Sequence, residues 1–365
     1  MSRTTDHNIT VWKKLLKNKA SLTGMIIIGL AVFICMFGYI VSPDNTPDAD
    51  LQTVEIQSKP PGYSQKFLKI PMVVRSSSNM LQQIFFGSPA SFNYIPVKSY
   101  AINGDSLSVQ KYVDEDTAIA QHYSVRQLTG DHPEKISELI TTKKYLLGTD
   151  AFGRDILSRL IIGTRVSMAV GCIAMLVSLT IGILLGAVAG YYRGKTDNII
   201  MWLVNVAWSI PTLLLVFAFT LVLGKGVVQI FVAVGLTLWV SVARLVRGQV
   251  MAAADLEYVQ AARALGFRDR RIIFRHILPN IMGSVMVIAA GNFATAIIIE
   301  AGLSFLGIGV QPPQPSWGLM IRENYNLIIT HNAMPALIPG FAIMLLVLAF
   351  NLLGTGLRDA LDVKS

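Results

Sequence analysis

The sequence predicts an all-α integral membrane protein of six transmembrane helices, with a β-rich extracytoplasmic insert between the first helix and the second. Three observations carry that prediction. The 365 residues are 53% hydrophobic and only 15% charged, with a mean hydropathy of +0.53, a balance that soluble domains rarely show. Six separate segments stay apolar for about 20 residues, the length that crosses a bilayer as helix. Lysine and arginine gather beside the ends of those segments on one side, as the positive-inside rule requires.

Segment 1–21 carries Arg3, Lys13, Lys14, Lys17 and Lys19 and is assigned to the cytoplasm. Trp12, Leu15 and Leu16 among those lysines fit a helix lying on the inner membrane surface; a solvated basic leader fits them equally. The first span is 22–41. It is too long for the core of a cleaved signal peptide, follows a polar leader and lacks a small-x-small site before the polar region.

The insert, 42–147, is too long for an idle loop. It opens on turn residues, Pro43-Asp44-Asn45 and then Pro60-Pro61-Gly62. β-favouring stretches follow at 67–74, 92–97 and 107–113, with Asn103-Gly104 as a hairpin turn. A helix is expected over 133–147. The insert offers a contact for a delivery protein or an extracellular ligand, but no recognisable site, and a decoration that stabilises the outer surface explains it as well.

The core, 148–356, holds spans at 166–191, 199–223, 227–246, 281–306 and 333–353. Pro211 is expected to kink the third. An amphipathic piece at 150–160, before the second, is expected to lie on the outer membrane surface, its turn and orientation set by Gly153 and an Arg154/Asp155 pair. Arg193 and Lys195 follow the second span; Arg244, Arg247, Arg263, Arg268, Arg270, Arg271 and Arg275 follow the fourth; Arg358 and Lys364 mark the tail, 357–365. The opposite short loops hold only Lys225 and Arg322. Both termini and the loop 248–280 are therefore expected in the cytoplasm.

Several function classes lack support. The net charge of +9 does not point to nucleic acid, because basic and acidic residues balance over 42–165 and the excess lies beside apolar segments. Cys35 and Cys172 sit in apolar runs and the five histidines are scattered, so no disulfide framework and no metal site is expected. No catalytic constellation is visible. Gly194-Lys195-Thr196 imitates the end of a P-loop, but position 189 is alanine and an apolar helix precedes it. The chain is expected to bind no ATP and no cofactor of its own.

Within 257–280 the residues spell a basic helix–turn–helix. Leu256 to Leu265 is helix-competent, Gly266 can take the left-handed conformation that ends it, and 268–277 forms a second helix that Pro279 closes. Ala261 and Ala262 allow a partner close approach, Leu265 and Phe267 supply apolar anchors, and Arg268 with its neighbours can pair with carboxylates. A basic loop on anionic lipid would explain the arginines, though not the glycine, the proline or the alanine pair.

Three stretches resemble one family. Gln260-Ala261-Ala262, Gly266 and Ile277-Leu278-Pro279 match the cytoplasmic motif of ABC importer permeases, with Gln260 where that family has glutamate. Gly148-Thr149-Asp150 with Gly153-Arg154-Asp155, and 303–318 ending in Ser316-Trp317-Gly318, resemble the C-type permease subunit of dipeptide, oligopeptide and nickel importers. The resemblance is close over 145–361, loose over 12–41 and absent from most of the insert.

The resemblance implies a multi-pass subunit of a bacterial or archaeal cytoplasmic membrane. It would pair with a homologous second permease and be driven through 257–279 by two ATPase subunits holding ATP and Mg. An extracytoplasmic substrate-binding protein would supply it. Di- or oligopeptides are the expected cargo, with nickel, glutathione or microcin-like solutes as alternatives. An ion-driven secondary transporter is a distant rival, because neither an inverted repeat nor a midplane acid is visible. Glu300, Asn292 and Asn205 are candidates for the substrate pathway. Glu300 lies about 28 Å along the fifth span, near its outer end, and also suits a structural partner for the glycine-rich turn that follows; the asparagines also suit interhelical hydrogen bonding.

Overall fold

The computed structural model describes residues 12–72, 80–129, 133–224, 226–330 and 332–361. Arg3, Lys225, Lys364 and positions 73–74 of the expected first strand lie outside the described residues. The long helices are α1 (Lys19–Val41), α2 (Ile156–Tyr192), α3 (Gly194–Ser209), α4 (Thr212–Leu223), α5 (Val227–Ala254), α6 (Glu257–Ala264), α7 (Asp269–Phe305), α8 (Trp317–Asn324) and α9 (Met334–Leu361). Among the described residues, α1, α2, α5, α7 and α9 are each long and apolar enough to cross a membrane; α3 with α4 makes a sixth span if taken together. The chain divides into two compact units, one of 33–165 with 312–340 and one of the remaining segments.

In the larger helical unit, α5 is the central element. Val242, Val246 and Val250 on one face of it pack with Ala187 and Tyr191 of α2 and with Ile281 and Val285 of α7. A second cluster joins Val170 and Ala174 of α2 to Ile230 and Val234 of α5 and Ala296 and Leu303 of α7. The α2–α5 contact is close because α2 presents Gly182, Gly186 and Gly190 at four-residue spacing. A Cβ at Gly186 would stand 2.6 Å from the Ala243 carbonyl, and one at Gly190 2.6 Å from the Arg247 carbonyl. Small residues at this spacing let membrane helices approach backbone to backbone.

The third span is broken rather than kinked: α3 and α4 meet at 97°. Ile210 is extended there and Pro211 contributes no N–H to continue the helix. The second span begins at Ile156, ten residues before its expected start, so 150–155 is the turn leading into α2 and 156–160 is the beginning of α2 itself, not a separate surface piece. Asp155 makes that early start possible: its carboxylate accepts from the Ser158 N–H at 2.9 Å, satisfying a donor of the first turn. Nor does Pro279 close a helix. Over Ile273–Ile277 the chain takes a π-turn, with the Leu278 N–H donating to the Ile273 carbonyl, and α7 runs on through Pro279 to Phe305. The wider turn shifts the hydrogen-bond register where proline would otherwise interrupt it.

The other unit holds a five-stranded antiparallel sheet: β1 (Tyr63–Pro71), β2 (Phe92–Asn103), β3 (Ser106–Tyr112), β4 (Ala118–Ser124) and β5 (Ile140–Tyr145), in the order β4-β3-β2-β1-β5. Alternation along β1 sends Leu68 to a core with Val97, Leu107 and Val109 and Phe67 to one with Ile56, Tyr112 and Tyr145. The β2–β3 hairpin pairs Asn103 with Ser106, so its centre is Gly104-Asp105, one residue later than expected. Gly104 has φ +62°, the glycine position of a type II′ turn. The helix expected over 133–147 is a 3₁₀ segment, Pro133–Leu139, followed by β5. Ile140-Thr141-Thr142 is β-branched and pairs with β1 at Lys66–Leu68.

Candidate coupling surface and outer motif

The helix α6 ends on a glycine turn that its sequence dictates. Gly266 adopts φ +75°; its N–H donates to the Arg263 carbonyl at 2.9 Å and the Phe267 N–H to the Ala262 carbonyl at 3.2 Å. This pair of bonds is the Schellman arrangement, which glycine enters without a Cβ penalty. Phe267 is then held between two side chains, stacked on His276 at 6.0 Å between centroids and under Arg271 at 4.5 Å.

The structure divides the sequence-predicted residues of this segment into two groups. Ala262 (4% exposed), Ile277 and Leu278 belong to the core with Val259, Ile272 and Val246, and Phe267 packs against it. Glu257, Gln260, Ala261, Leu265, Gly266, Arg268 and Pro279 are exposed, and Leu265 is 74% exposed at the tip. The free face of α6 is thus an alanine, a glutamine and a protruding leucine, edged by arginine. The side-chain amide of Gln260 donates to the Asp255 carbonyl at 3.1 Å, a bond that a glutamate could not make.

Side chains outside the sequence motif attach this segment to the spans. The Tyr191 hydroxyl, at the end of α2, donates to Asp269 at the start of α7 at 2.7 Å. The Arg263 guanidinium donates to that hydroxyl at 3.3 Å and lies 4.7 Å over its ring. Arg193 reaches both oxygens of Asp255 at 2.8 Å, and Arg247 of α5 holds Asp197 of α3 at 2.6 Å. None of these pairs is legible from spacing, since each joins helices whose proximity only the fold supplies.

The outer motif, in the other unit, is a buried charge cluster. Arg154 and Arg159, 2% and 1% exposed, share three carboxylates. Arg154 donates to Asp150 at 2.7 Å, Asp50 at 3.0 Å and Glu323 at 2.6 Å; Arg159 donates to Glu323 at 3.0 Å. Burial alone lowers the Arg154 pKa, but Asp150 and Glu323 reverse this and hold it above its ordinary value. Arg154 is therefore paired with these acids and not with Asp155, the partner that sequence adjacency suggests.

Gly148 and Gly153 have φ +84° and +72°, and a Cβ at either would run into insert backbone at Lys59 or Thr53. The Thr149 hydroxyl accepts from the Lys59 N–H at 2.9 Å. Ser316 caps α8 by accepting from Leu319 N–H at 3.2 Å, and the Trp317 indole donates to the Leu160 carbonyl at 3.1 Å. The motif residues thus fasten the start of the insert, the start of α2 and α8 within one unit.

Each of the three pathway candidates is held by partners of its own. Glu300 is fully buried, whereas its distance along the span predicts access to water. It accepts from Ser304 at 2.6 Å, and the same hydroxyl accepts from the Val310 N–H at 3.0 Å, which fastens the turn after α7. Asn292 of α7 donates to the Leu238 carbonyl of α5 at 3.3 Å. Asn205 of α3 accepts from Arg244 at 2.9 Å. Among the described residues no group of His, Cys, Asp and Glu could hold a metal ion.

Comparison with known proteins bears directly on this arrangement. Residues 182–364, which include all of 257–280, match the model described as binding-protein-dependent transport system inner membrane component. Residues 9–61 match the N-terminal TM domain of oligopeptide transport permease C. The glutathione transport system permease protein of Pectobacterium atrosepticum is 46% identical over 219 residues, 60% of this chain and 72% of that protein. The oligopeptide and dipeptide transport system permease proteins of Bacillus subtilis are 40% and 42% identical, with 61% and 60% of this chain covering 73% and 68% of theirs. A methionine ABC transporter solved in an inward-facing conformation aligns at TM-score 0.47 and 19% identity, over 55% of this chain and 96% of that one. The chain belongs to the family of binding-protein-dependent transport system inner membrane components, as a multi-pass permease of ABC importer type.

Proposed function

We propose that this permease carries di- or oligopeptides, glutathione-like peptides among them, and that partner ATPases drive it through the exposed face of α6. The observation that carries the cargo is the relatives: a glutathione, an oligopeptide and a dipeptide permease, each at 40% identity or more. The docking face rests on geometry: Leu265 protrudes and Ala261 leaves room, while Ala262 anchors the same helix in the core.

In this reading the chain pairs with a homologous, non-identical permease. Two ATPase subunits, holding ATP and Mg, seat on the two permeases from the cytoplasm, and an extracytoplasmic binding protein delivers cargo. Both termini lie in the cytoplasm. Closure of the ATPases pushes α6; the Tyr191–Asp269 and Arg193–Asp255 bonds pass that displacement to α2, α5 and α7. No covalent step occurs in this chain: it shifts the population between two packings of its helices.

The test is uptake by proteoliposomes holding the complete transporter and its binding protein. Labelled di- and tripeptides and glutathione should accumulate with ATP, and nickel ion should not. Nickel uptake with no peptide uptake would overturn the cargo assignment.

A further inference from the structure

The break between α3 and α4 opens a cavity of about 200 Å³, lined by Trp208, Ile210, Thr212, Thr237, Leu238 and Ser241 among others. Backbone that leaves the helix at membrane depth persists only where protein buries it or where it lines a water-filled cavity. Thr237 and Ser241 lie about 15 and 21 Å along α5, close to half the thickness of a bilayer core. Both hydroxyls donate to their own helix, at 2.7 and 2.9 Å, and Ser241 also reaches the side-chain oxygen of Asn292 at 3.4 Å, so they offer oxygen lone pairs rather than free protons.

The cation beside this cavity is Arg244, less than one turn beyond Ser241 on the same helix. Its guanidinium lies 3.1 Å over the ring of Trp208, a wall of the cavity. One Nη donates to Asn205 at 2.9 Å. Its buried Nε has no hydrogen-bond partner among the described residues. Arg247, one turn further, is bound through two donors to Asp197, but Arg244 faces a neutral amide and an aromatic ring, neither of which neutralises it. Among the described residues no carboxylate pairs with this guanidinium, and beside an apolar-walled cavity it is set to receive an anion: it presents a rigid fork of donors, and the ring keeps it extended.

We propose that Arg244, held by Trp208 and Asn205, is the anion subsite of the translocation cavity and takes the carboxylate of the passing solute. The body of the solute occupies the space between Thr212 and Ser241, and the carboxylate replaces the amide of Asn205 as the partner of the guanidinium. This inference rests on the peptide reading for the solute, but the subsite itself is a statement about local charge.

The experiment separates the two. In the complete transporter, Ser241→Cys is introduced with Cys35 and Cys172 replaced by alanine. The new thiol is then labelled with an anionic sulfonatoethyl and a cationic trimethylammonioethyl thiosulfonate. The anionic reagent should react faster, and Arg244→Gln should lower the anionic-to-cationic rate ratio roughly fivefold or more, since a full charge is lost within a turn of the thiol. Arg244→Lys should keep the ratio high.

A cationic preference with Arg244 present, an unchanged ratio in Arg244→Gln, or a thiol that neither reagent reaches in any nucleotide state would each overturn the subsite. Trialanine as the free acid should protect the thiol while trialanine amide should not. Equal protection by both would overturn the assignment of the carboxylate to Arg244. An anionic preference that depends on Arg244, in a transporter that takes up no peptide, would leave the subsite standing and remove the peptide reading.

Discussion

Replacing two adjacent alanines of α6 by tryptophan should have opposite consequences. Ala262 is 4% exposed and packs among Val259, Ile272 and Ile277. An indole there must displace close-packed side chains, at a cost of about 3 kcal/mol or more. Ala261 is exposed, so the same substitution costs only the propensity difference, about 0.5 kcal/mol. Ala262→Trp should therefore lower yield and thermal midpoint. Ala261→Trp should leave both near wild type yet place an indole on the exposed face that an ATPase would meet. A docking loss of about 1.4 kcal/mol is tenfold in affinity. Co-purification of the ATPases and peptide-dependent ATP hydrolysis should thus fall at least tenfold in Ala261→Trp. Normal hydrolysis and uptake in Ala261→Trp would refute docking through this face, whatever Ala262→Trp does.

Two further outcomes follow from the other unit. Arg154→Met leaves Asp50, Asp150 and Glu323 with Arg159 alone, and should destabilise by about 3–5 kcal/mol. Glu115→Gln, which removes an exposed pair with Lys59, should stay within about 1 kcal/mol; comparable thermal shifts in the two variants would show that the buried cluster is not a structural anchor. Burial pushes the Asp155 carboxyl above its ordinary value of 3.8, with Asp44 nearby adding to the shift. A raised folded pKa means stability that is fully present below the unfolded value and lost as pH rises through the folded one. Relative to wild type, Asp155→Asn should therefore gain stability as pH rises from about 4, read as the difference between the two thermal midpoints; a difference independent of pH would contradict the burial of a charged carboxylate.

Legibility follows the range of the interaction. Spans are readable because apolar length is local, and Gly266 is readable because its left-handed φ is a property of its own turn. Helix ends are displaced where a side chain extends the helix past the apolar run, as Asp155 does for α2, or where a π-turn carries it through proline, as at Ile273–Ile277. The β-branched triplet at 140–142 reads locally as part of a helix because its partner strand, β1, is over 70 residues earlier. Sequence adjacency pairs Arg154 with Asp155, whereas its partners Asp50 and Glu323 are far away in the chain and meet it only in the fold. The glycine ladder of α2 is visible as a four-residue repeat, and its meaning lies in α5, which nothing in α2 names.

If partner ATPases push α6 as proposed, that ladder decides which helices can move relative to each other. A Cβ at Gly186 would stand 2.6 Å from the Ala243 carbonyl and 2.9 Å from the Val246 Cβ. Neither is the end of a flexible side chain, so alanine there must spread the two helices by nearly 1 Å to restore ordinary contact. Helices this close, joined at three successive turns, shift as one body. At the α3–α4 break, beside the cavity, Ile210 is extended and Pro211 has no N–H to continue the helical ladder. A Cβ added at Gly29 of α1 would meet no described atom within 4 Å, so Gly29→Ala should be neutral or stabilise by about 0.5–1 kcal/mol through helix propensity. Gly186→Ala enjoys the same gain yet should be net destabilising and slow uptake, with a lower thermal midpoint in detergent. If Gly186→Ala were as stable and as active as Gly29→Ala, α2 and α5 would not be locked together, and the push on α6 would have to travel by another route.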